Sequence, residues 1–188
     1  MKDFEFSFPT RVIFGRDAEG RAGELAAPFG PNVMLLYGSD RIRRSGLLDR
    51  LTADLESHGL TVTLFGGIQE NPLLSKAEEG RRLAREKKIT LLLAVGGGSV
   101  IDTAKAVSLG AKSTAPLWDI YSGKGKAQKA LPIGVVLTTA ATASEANSVS
   151  VLCHDELHLK VALEEPLTRP RFALMDPALT FSLPPRQT

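Results

Sequence analysis

The chain has 188 residues, 43% hydrophobic and 23% charged, ordinary values for a soluble globular domain of one unit, or one unit plus a fragment. Its 23 basic and 21 acidic residues leave a net charge of +2 and are interspersed, so no basic run points to nucleic acid and no acidic tail is present. The single cysteine, Cys153, excludes an intramolecular disulfide and fits a reducing, cytoplasmic setting.

The first residues, Met1 to Glu5, lack the apolar core of a signal peptide. Phe4 to Phe14 alternates aromatic or branched residues with polar ones, which suggests a hairpin at a sheet edge. Val33-Met34-Leu35-Leu36-Tyr37 reads as a buried strand, ended by Gly38-Ser39-Asp40. Leu47 to His58 reads as a helix with Leu47, Leu48, Leu51 and Leu55 on one face, stopped by Gly59. Thr61 to Phe65 is a second strand, closed by Gly66-Gly67. Ser75 to Lys88 is a charged helix with Ala77, Leu83 and Ala84 inward. Thr90 to Val95 is a third strand running into Gly96-Gly97-Gly98. Its apolar run is the strongest in the chain and far too short to span a bilayer. Val100 to Leu109 is again a helix. The alternation predicts a parallel sheet covered on both faces, with right-handed crossovers. Beyond Trp118 the pattern loosens. Pro132 to Leu137 predicts a strand, Val149–Cys153 and Lys160–Leu163 a hairpin, and Arg171–Met175 a last short strand.

The chemistry concentrates where Leu91-Leu92-Leu93-Ala94-Val95 meets Gly96-Gly97-Gly98-Ser99. Glycines let the main chain approach a phosphate closely, and the helix that follows offers unpaired N–H groups and the positive end of a dipole. Ser99 is expected to cap that helix or to donate to a phosphate oxygen. The turn does not match G-x-G-x-x-G. Among the other reactive side chains, His154-Asp155-Glu156-Leu157-His158 has its glutamate one place late for His-Glu-x-x-His and falls in the expected hairpin. Cys153 reads as a small strand residue, Trp118 as a packing residue, and Lys124 and Lys126 as a solvated turn.

Gly96-Gly97-Gly98-Ser99-Val100-Ile101-Asp102-Thr103-Ala104-Lys105 resembles the signature of the iron-containing, group III alcohol dehydrogenases. Pro9-Thr10-Arg11-Val12-Ile13-Phe14-Gly15 resembles the opening strand of that family, and Glu70-Asn71-Pro72 its Asn-Pro turn. Thr138-Thr139-Ala140-Ala141-Thr142-Ala143-Ser144-Glu145 resembles its cofactor loop. Asp176-Pro177-Ala178-Leu179-Thr180 and Leu183-Pro184-Pro185-Arg186-Gln187 resemble the segment joining its two domains. Tyr37-Gly38 and Phe65-Gly66-Gly67-Ile68 point to the butanol dehydrogenase-like branch. The resemblance implies a Rossmann-like, doubly wound, mostly parallel α/β sheet with β-hairpin additions, as in the dehydroquinate synthase-like N-terminal domain. It divides the chain into an NAD(P)-binding domain, residues 1–180, and the start of a linker, 181–188, to a helical metal-binding domain.

The resemblance also implies residue roles. Gly97, Gly98 and Ser99 would hold the pyrophosphate, and Thr138, Thr139 and Thr142 would line the adenine and ribose side. Gly38, Ser39, Asp40 and Arg41 would meet the adenosine ribose. There Asp40 would repel a 2′-phosphate and Arg41 accept one, leaving NAD and NADP open. Asn71 joins the cofactor-binding set, and Lys160 would reach the nicotinamide-side ribose. Asp102 would sit near the nicotinamide as a catalytic candidate, its plain reading being a first-turn helix carboxylate. The family commonly carries glycine where this chain has Ala141 and Ala143. In the family an aspartate and three histidines of the helical domain hold iron or zinc, and the sequence offers no such set.

The implied activity is hydride transfer between a nicotinamide dinucleotide and a small primary alcohol or aldehyde, with this chain alone inactive. A non-catalytic nucleotide-binding module and a dehydroquinate synthase-like or glycerol dehydrogenase-like relative are the alternatives. Neither nucleic acid nor membrane is an expected partner. An apolar face around Phe172, Leu174, Leu179, Phe181 and Leu183 would favour a homo-oligomer.

Overall fold

Val33, Leu35 and Tyr37 turn to one side of a central sheet and Met34 and Leu36 to the other, and all five are buried. The same division repeats one strand away, with Leu91, Leu93 and Val95 on the first side and Leu92 and Ala94 on the second. A strand buried on both faces has no polar side to show, which is why these segments read as unbroken apolar runs. Each such leucine contributes about 1.5–3 kcal/mol by leaving water. The computed structural model describes residues 8–181 apart from 39 and 141.

In chain order the main elements are β1 (Arg11–Phe14), α1 (Ala22–Ala26), β2 (Asn32–Tyr37), α2 (Asp40–Arg44), α3 (Leu47–Ser57), β3 (Thr61–Phe65) and α4 (Leu74–Glu86). They continue as β4 (Leu91–Gly96), α5 (Gly98–Lys112), α6 (Leu117–Tyr121), β5 (Ile133–Leu137), β6 (Val149–His154), β7 (Leu159–Glu164) and β8 (Phe172–Met175). Six strands form one sheet in the order β1-β8-β5-β4-β2-β3, and every pairing in it is parallel. Helices α1 and α3 cover one face, while α4 and α5 cover the other. The architecture is the doubly wound, hairpin-decorated α/β fold expected from the strand–helix rhythm.

The chain runs from β2 outward to β3, then returns to lay β4 on the other side of β2. The order therefore reverses between β2 and β4, and open α/β sheets bind ligands at such a point, outside the carboxyl ends of the strands. Strands β6 and β7 form the separate antiparallel hairpin. It packs beyond α5 and α6, where Leu152 meets Ala106, Leu109, Leu117 and Tyr121. Trp118 of α6 packs edge-on against His154, ring centroids 4.6 Å apart, and Lys124 and Lys126 are exposed.

The expected hairpin of Phe4–Phe14 lies partly outside the described residues; its second half is strand β1, which pairs in parallel with β8 along one edge, Arg11 opposite Phe172. One expectation needs correction: Phe172 and Leu174 do not belong to an apolar surface, since they are 2% and 0% exposed and fill the core beside Leu93 and Val136. Phe181 is exposed, and Leu183 lies outside the described residues.

Candidate functional site

Helix α5 begins immediately after β4, with Gly97 as its N-cap residue. Val100 and Ile101 donate to the Gly97 carbonyl at 3.1 and 3.2 Å. The N–H groups of Gly98 and Ser99 are thus the donors presented at the helix start. Ser99 is the second helical residue, so it does not cap the helix; Gly97, without a side-chain cap bond, holds that place.

These groups open onto a cleft of about 310 Å³ at the switch point. Gly38 and Arg41 border it after β2, Ile68, Gln69 and Glu70 after β3, Gly96 to Val100 after β4, and Thr138 and Thr139 after β5. A Cβ added at Gly98 would meet nothing within 4 Å, so the missing side chain leaves room on the cleft side. One added at Gly97 would come within 3.2 Å of Thr139, and one at Gly38 within 3.0 Å of the Ile68 carbonyl. The turns are brought together as closely as glycine permits. A concave surface with aligned N–H donors, a helix N-terminus and a bordering arginine fits a phosphate-bearing ligand such as the dinucleotide.

Of the expected cofactor-binding residues, Gly38, Arg41, Gly97, Gly98, Ser99, Thr138 and Thr139 line this cleft. Asp40, the first residue of α2, is exposed and does not line it. Ser39 lies outside the described residues. Thr142 is exposed and accepts from Asn147 Nδ2 through its carbonyl. Asn71 sits just beyond Glu70 in a left-handed conformation, φ +58°, and its Oδ1 accepts from Lys160 Nζ at 2.9 Å. That bond ties the β6–β7 hairpin to the loop after β3.

Asp102 stands off the cleft lining, in the second turn of α5 rather than the first. Its Oδ1 accepts from the Ser144 hydroxyl at 2.6 Å and its Oδ2 from the Val151 N–H at 3.0 Å. Lys105, one turn on and wholly buried, donates to Ser144 Oγ, Asn147 Oδ1 and the Val149 carbonyl at 3.0, 2.9 and 2.7 Å. All three ammonium protons are engaged. Burial pushes the Lys105 ammonium down to about 8, with the Asp102 carboxylate opposing that shift. This network fastens the loop after β5 to the helix that opens at the glycines. The sequence reading overlooked it, although a lysine between Ala104 and Ala106 on an otherwise apolar helix signals a buried charge that needs partners.

Ala143, in the same loop, has φ +57°. The glycine departure noted in the sequence therefore falls on a backbone conformation that disfavours a side chain. Ala141 lies outside the described residues.

The histidines do not converge. His58 follows α3 and contacts the Asp54 carbonyl through Nδ1, His154 ends β6, and His158 lies in the hairpin turn. Cys153, half-buried in β6, donates its N–H to the Pro72 carbonyl. Among the described residues, the one close group of potential ligands is the all-carboxylate set Asp17, Glu19 and Asp176. The described residues do not fit a metal site of one carboxylate and three imidazoles. Nor is any described helix long and apolar enough to cross a membrane.

The sequence model of the iron-containing alcohol dehydrogenase family matches residues 9–177. Over its full length the chain is 44% identical to a probable NADH-dependent butanol dehydrogenase 1 of Bacillus subtilis, covering 49% of that protein. It is 38% identical to the NADPH-dependent aldehyde reductase YqhD of Escherichia coli, covering 48% of it. The chain thus spans about half the length of the curated relatives it matches. The crystal structure of NADH-dependent butanol dehydrogenase A from Thermotoga maritima superposes with a TM-score of 0.95 at 37% identity, over all of this chain and 48% of that one. With the family's sequence model matching residues 9–177 and the fold shared with a solved relative over the whole chain, the chain belongs to the iron-containing alcohol dehydrogenase family.

Proposed function

We propose that residues 1–180 are the NAD(P)-binding domain of a metal-dependent alcohol dehydrogenase or aldehyde reductase of the cytoplasm, and that residues 181–188 open the linker to a helical metal-binding domain. The observation that carries this reading is the cleft at the β2/β4 switch point, floored by Gly97, Gly98 and the start of α5. The Gly98 and Ser99 N–H groups bind the pyrophosphate. Thr138 and Thr139 hold the adenosine side, and Gly38 keeps the main chain low beneath it. Lys160, lightly held by Asn71, swings toward the nicotinamide-side ribose. Asp102 and Lys105 fix the loop that carries the threonines.

Arg41 borders the cleft and Asp40 does not, which supports NADP(H) as the preferred form. When bound, the nicotinamide accepts or donates the hydride, and the partner is a small primary alcohol or aldehyde, in line with the names of the relatives. The described residues do not supply the family's metal ligands, so the carbonyl is polarised by groups outside this chain, and the chain alone should not turn over. The exposed Val12 and Phe14 on the edge strand β1 favour a homo-oligomer.

Calorimetric titration of the purified chain with NADPH and NADH tests the reading. Saturable binding near one per chain is expected, and no heat from either nucleotide would reject it. With butanal and NADPH the same sample should show no oxidation of the nucleotide, and turnover would overturn the division of labour.

A further inference from the structure

Asp102 and Lys105 of α5, three positions apart, reach the same loop, the one that follows β5. Ser144 stands between them. Its hydroxyl donates to Asp102 Oδ1 at 2.6 Å and accepts from Lys105 Nζ at 3.0 Å. Lys105 also donates to Asn147 Oδ1 and to the Val149 carbonyl. Asn147 in turn accepts from the Val149 N–H at 2.9 Å and donates from Nδ2 to the Thr142 carbonyl at 3.0 Å. One wholly buried ammonium therefore organises this loop from Thr142 to Val149 from within. The loop opens with Thr138 and Thr139, which line the dinucleotide cleft, and the Thr138 N–H bonds the Gly96 carbonyl at 3.1 Å.

Lys105 lies seven residues along the helix that Gly98 begins, about 10 Å of axis from the N–H groups at the cleft. The charges that act on it are Asp102 of its own helix, Glu145 of the loop and Arg169 ahead of β8. The Tyr121 hydroxyl of α6, bonded to Ser150 Oγ at 2.7 Å, stays neutral because burial raises it. With Lys105 protonated, two cations face two carboxylates. Without that proton the cluster carries an excess negative charge, in surroundings where such a charge acts over about 10 Å. A neutral amine also has two N–H donors for the three acceptors now bonded, so one anchor of the loop is lost.

We propose that Lys105 is a positioning residue for the dinucleotide, and that binding at the Gly97–Gly98 turn is coupled to uptake of a proton by its side chain. The coupling rests on the dinucleotide reading of the cleft. The ligand brings an anionic pyrophosphate to the start of the helix, and that charge favours the ammonium over the amine. The ammonium in return holds the loop and keeps the cluster beneath the cleft uncharged overall. The free protein holds this ammonium at about 8, mainly through burial. Bound nucleotide raises it, so the complex carries a proton that the free protein has released. Affinity is therefore full below about pH 8 and declines from there to the raised value of the complex. Lys105 touches neither the reacting carbons nor the cleft lining. It acts through Ser144 and Asn147.

The test is calorimetric titration with NADH, which has no group of its own titrating in this range, from pH 7 to 10 at constant ionic strength. At pH 8.5 it is repeated in two buffers of different ionisation enthalpy, which reads the protons taken up. Wild-type affinity should fall about three- to tenfold across the range, a pKa difference of up to about one unit between free and bound protein. A fraction of a proton should be taken up per nucleotide. Lys105→Met should bind more weakly at pH 7, with no decline and no uptake. Asn147→Asp keeps the oxygen that Lys105 and Val149 use and loses only a bond to an exposed carbonyl, so it should fold even if Lys105→Met does not. Its added carboxylate favours the ammonium, and the decline should begin about one pH unit higher. Binding without proton uptake, a decline that survives in Lys105→Met, or an unshifted onset in Asn147→Asp would overturn the coupling and leave the cleft reading standing. No binding at any pH would overturn both.

Discussion

Lys105 Nζ donates to the Ser144 hydroxyl at 3.0 Å, joining the helix of the glycine turn to a loop 39 residues away in the chain. The pair sets a pH dependence whose sign follows from its burial. The folded chain holds this ammonium at about 8, against 10.5 for an ordinary lysine, and burial is the main cause. Below about pH 8 both folded and unfolded chains carry the proton, and the group adds no slope. Between about 8 and 10.5 the unfolded chain binds a proton that the folded chain has released. The contribution of Lys105 to stability therefore rises with pH there, by at most about 1.4 kcal/mol per pH unit. Urea unfolding of the wild type and Lys105→Met at pH 7 to 10 should show the difference between them shifting in favour of the wild type above pH 8. Parallel profiles would contradict this.

Ala143 offers the opposite manipulation, since its φ of +57° suits glycine. Ala143→Gly should stabilise the chain by about 0.5–1 kcal/mol, the relief of a left-handed side chain outweighing the extra freedom of glycine in the unfolded state. Thermal unfolding measures it. A lower melting temperature would mean that the loop does not need the left-handed turn.

Gly98→Val probes the cleft itself. The new side chain meets nothing within 4 Å of its Cβ, so the fold and melting temperature should change little. The branched group nevertheless stands where a phosphate must approach the helix start, and affinity for NADPH and NADH should fall more than tenfold. Unchanged affinity in a folded variant would make the turn purely structural.

Arg41→Ala separates the two cofactors. Because Arg41 borders the cleft, its removal should weaken NADPH about tenfold or more and leave NADH within about threefold, the difference reporting a charge-assisted bond to the 2′-phosphate. Equal losses would assign Arg41 to a group that both nucleotides share.

Much of this was legible from local pattern. Strands β2 and β4 are buried on both faces and announce themselves as apolar runs, and the hairpin β6–β7 shows its alternation. The glycines between β4 and α5 mark the phosphate-sized cleft because no other residue allows that approach. What stayed hidden depends on distance along the chain. Strand β1 has four residues, none of them fully buried, so its sequence carries no trace of β8 as its partner. The sequence suggests a helix beginning after Ser99, whereas it begins at Gly98, so Ser99 and Asp102 each lie two positions further into it. The Lys105–Ser144 link joins residues whose proximity only the folded sheet creates.

The pairing of β1 with β8 also orders events at the ribosome. Thr10 bonds the Pro170 carbonyl across 160 residues, and Arg11 faces Phe172. At synthesis rates of about 5–20 residues per second, the first strand waits roughly ten to thirty seconds for its neighbour to emerge. Until then its edge is unpaired, and Val12 and Phe14, exposed even in the finished sheet, are open to other chains. Parallel contacts so far apart in sequence also form slowly. Among the described strands, the one made first has as its described partner the one made last, so a nascent chain halted before residue 172 would leave that strand without this partner.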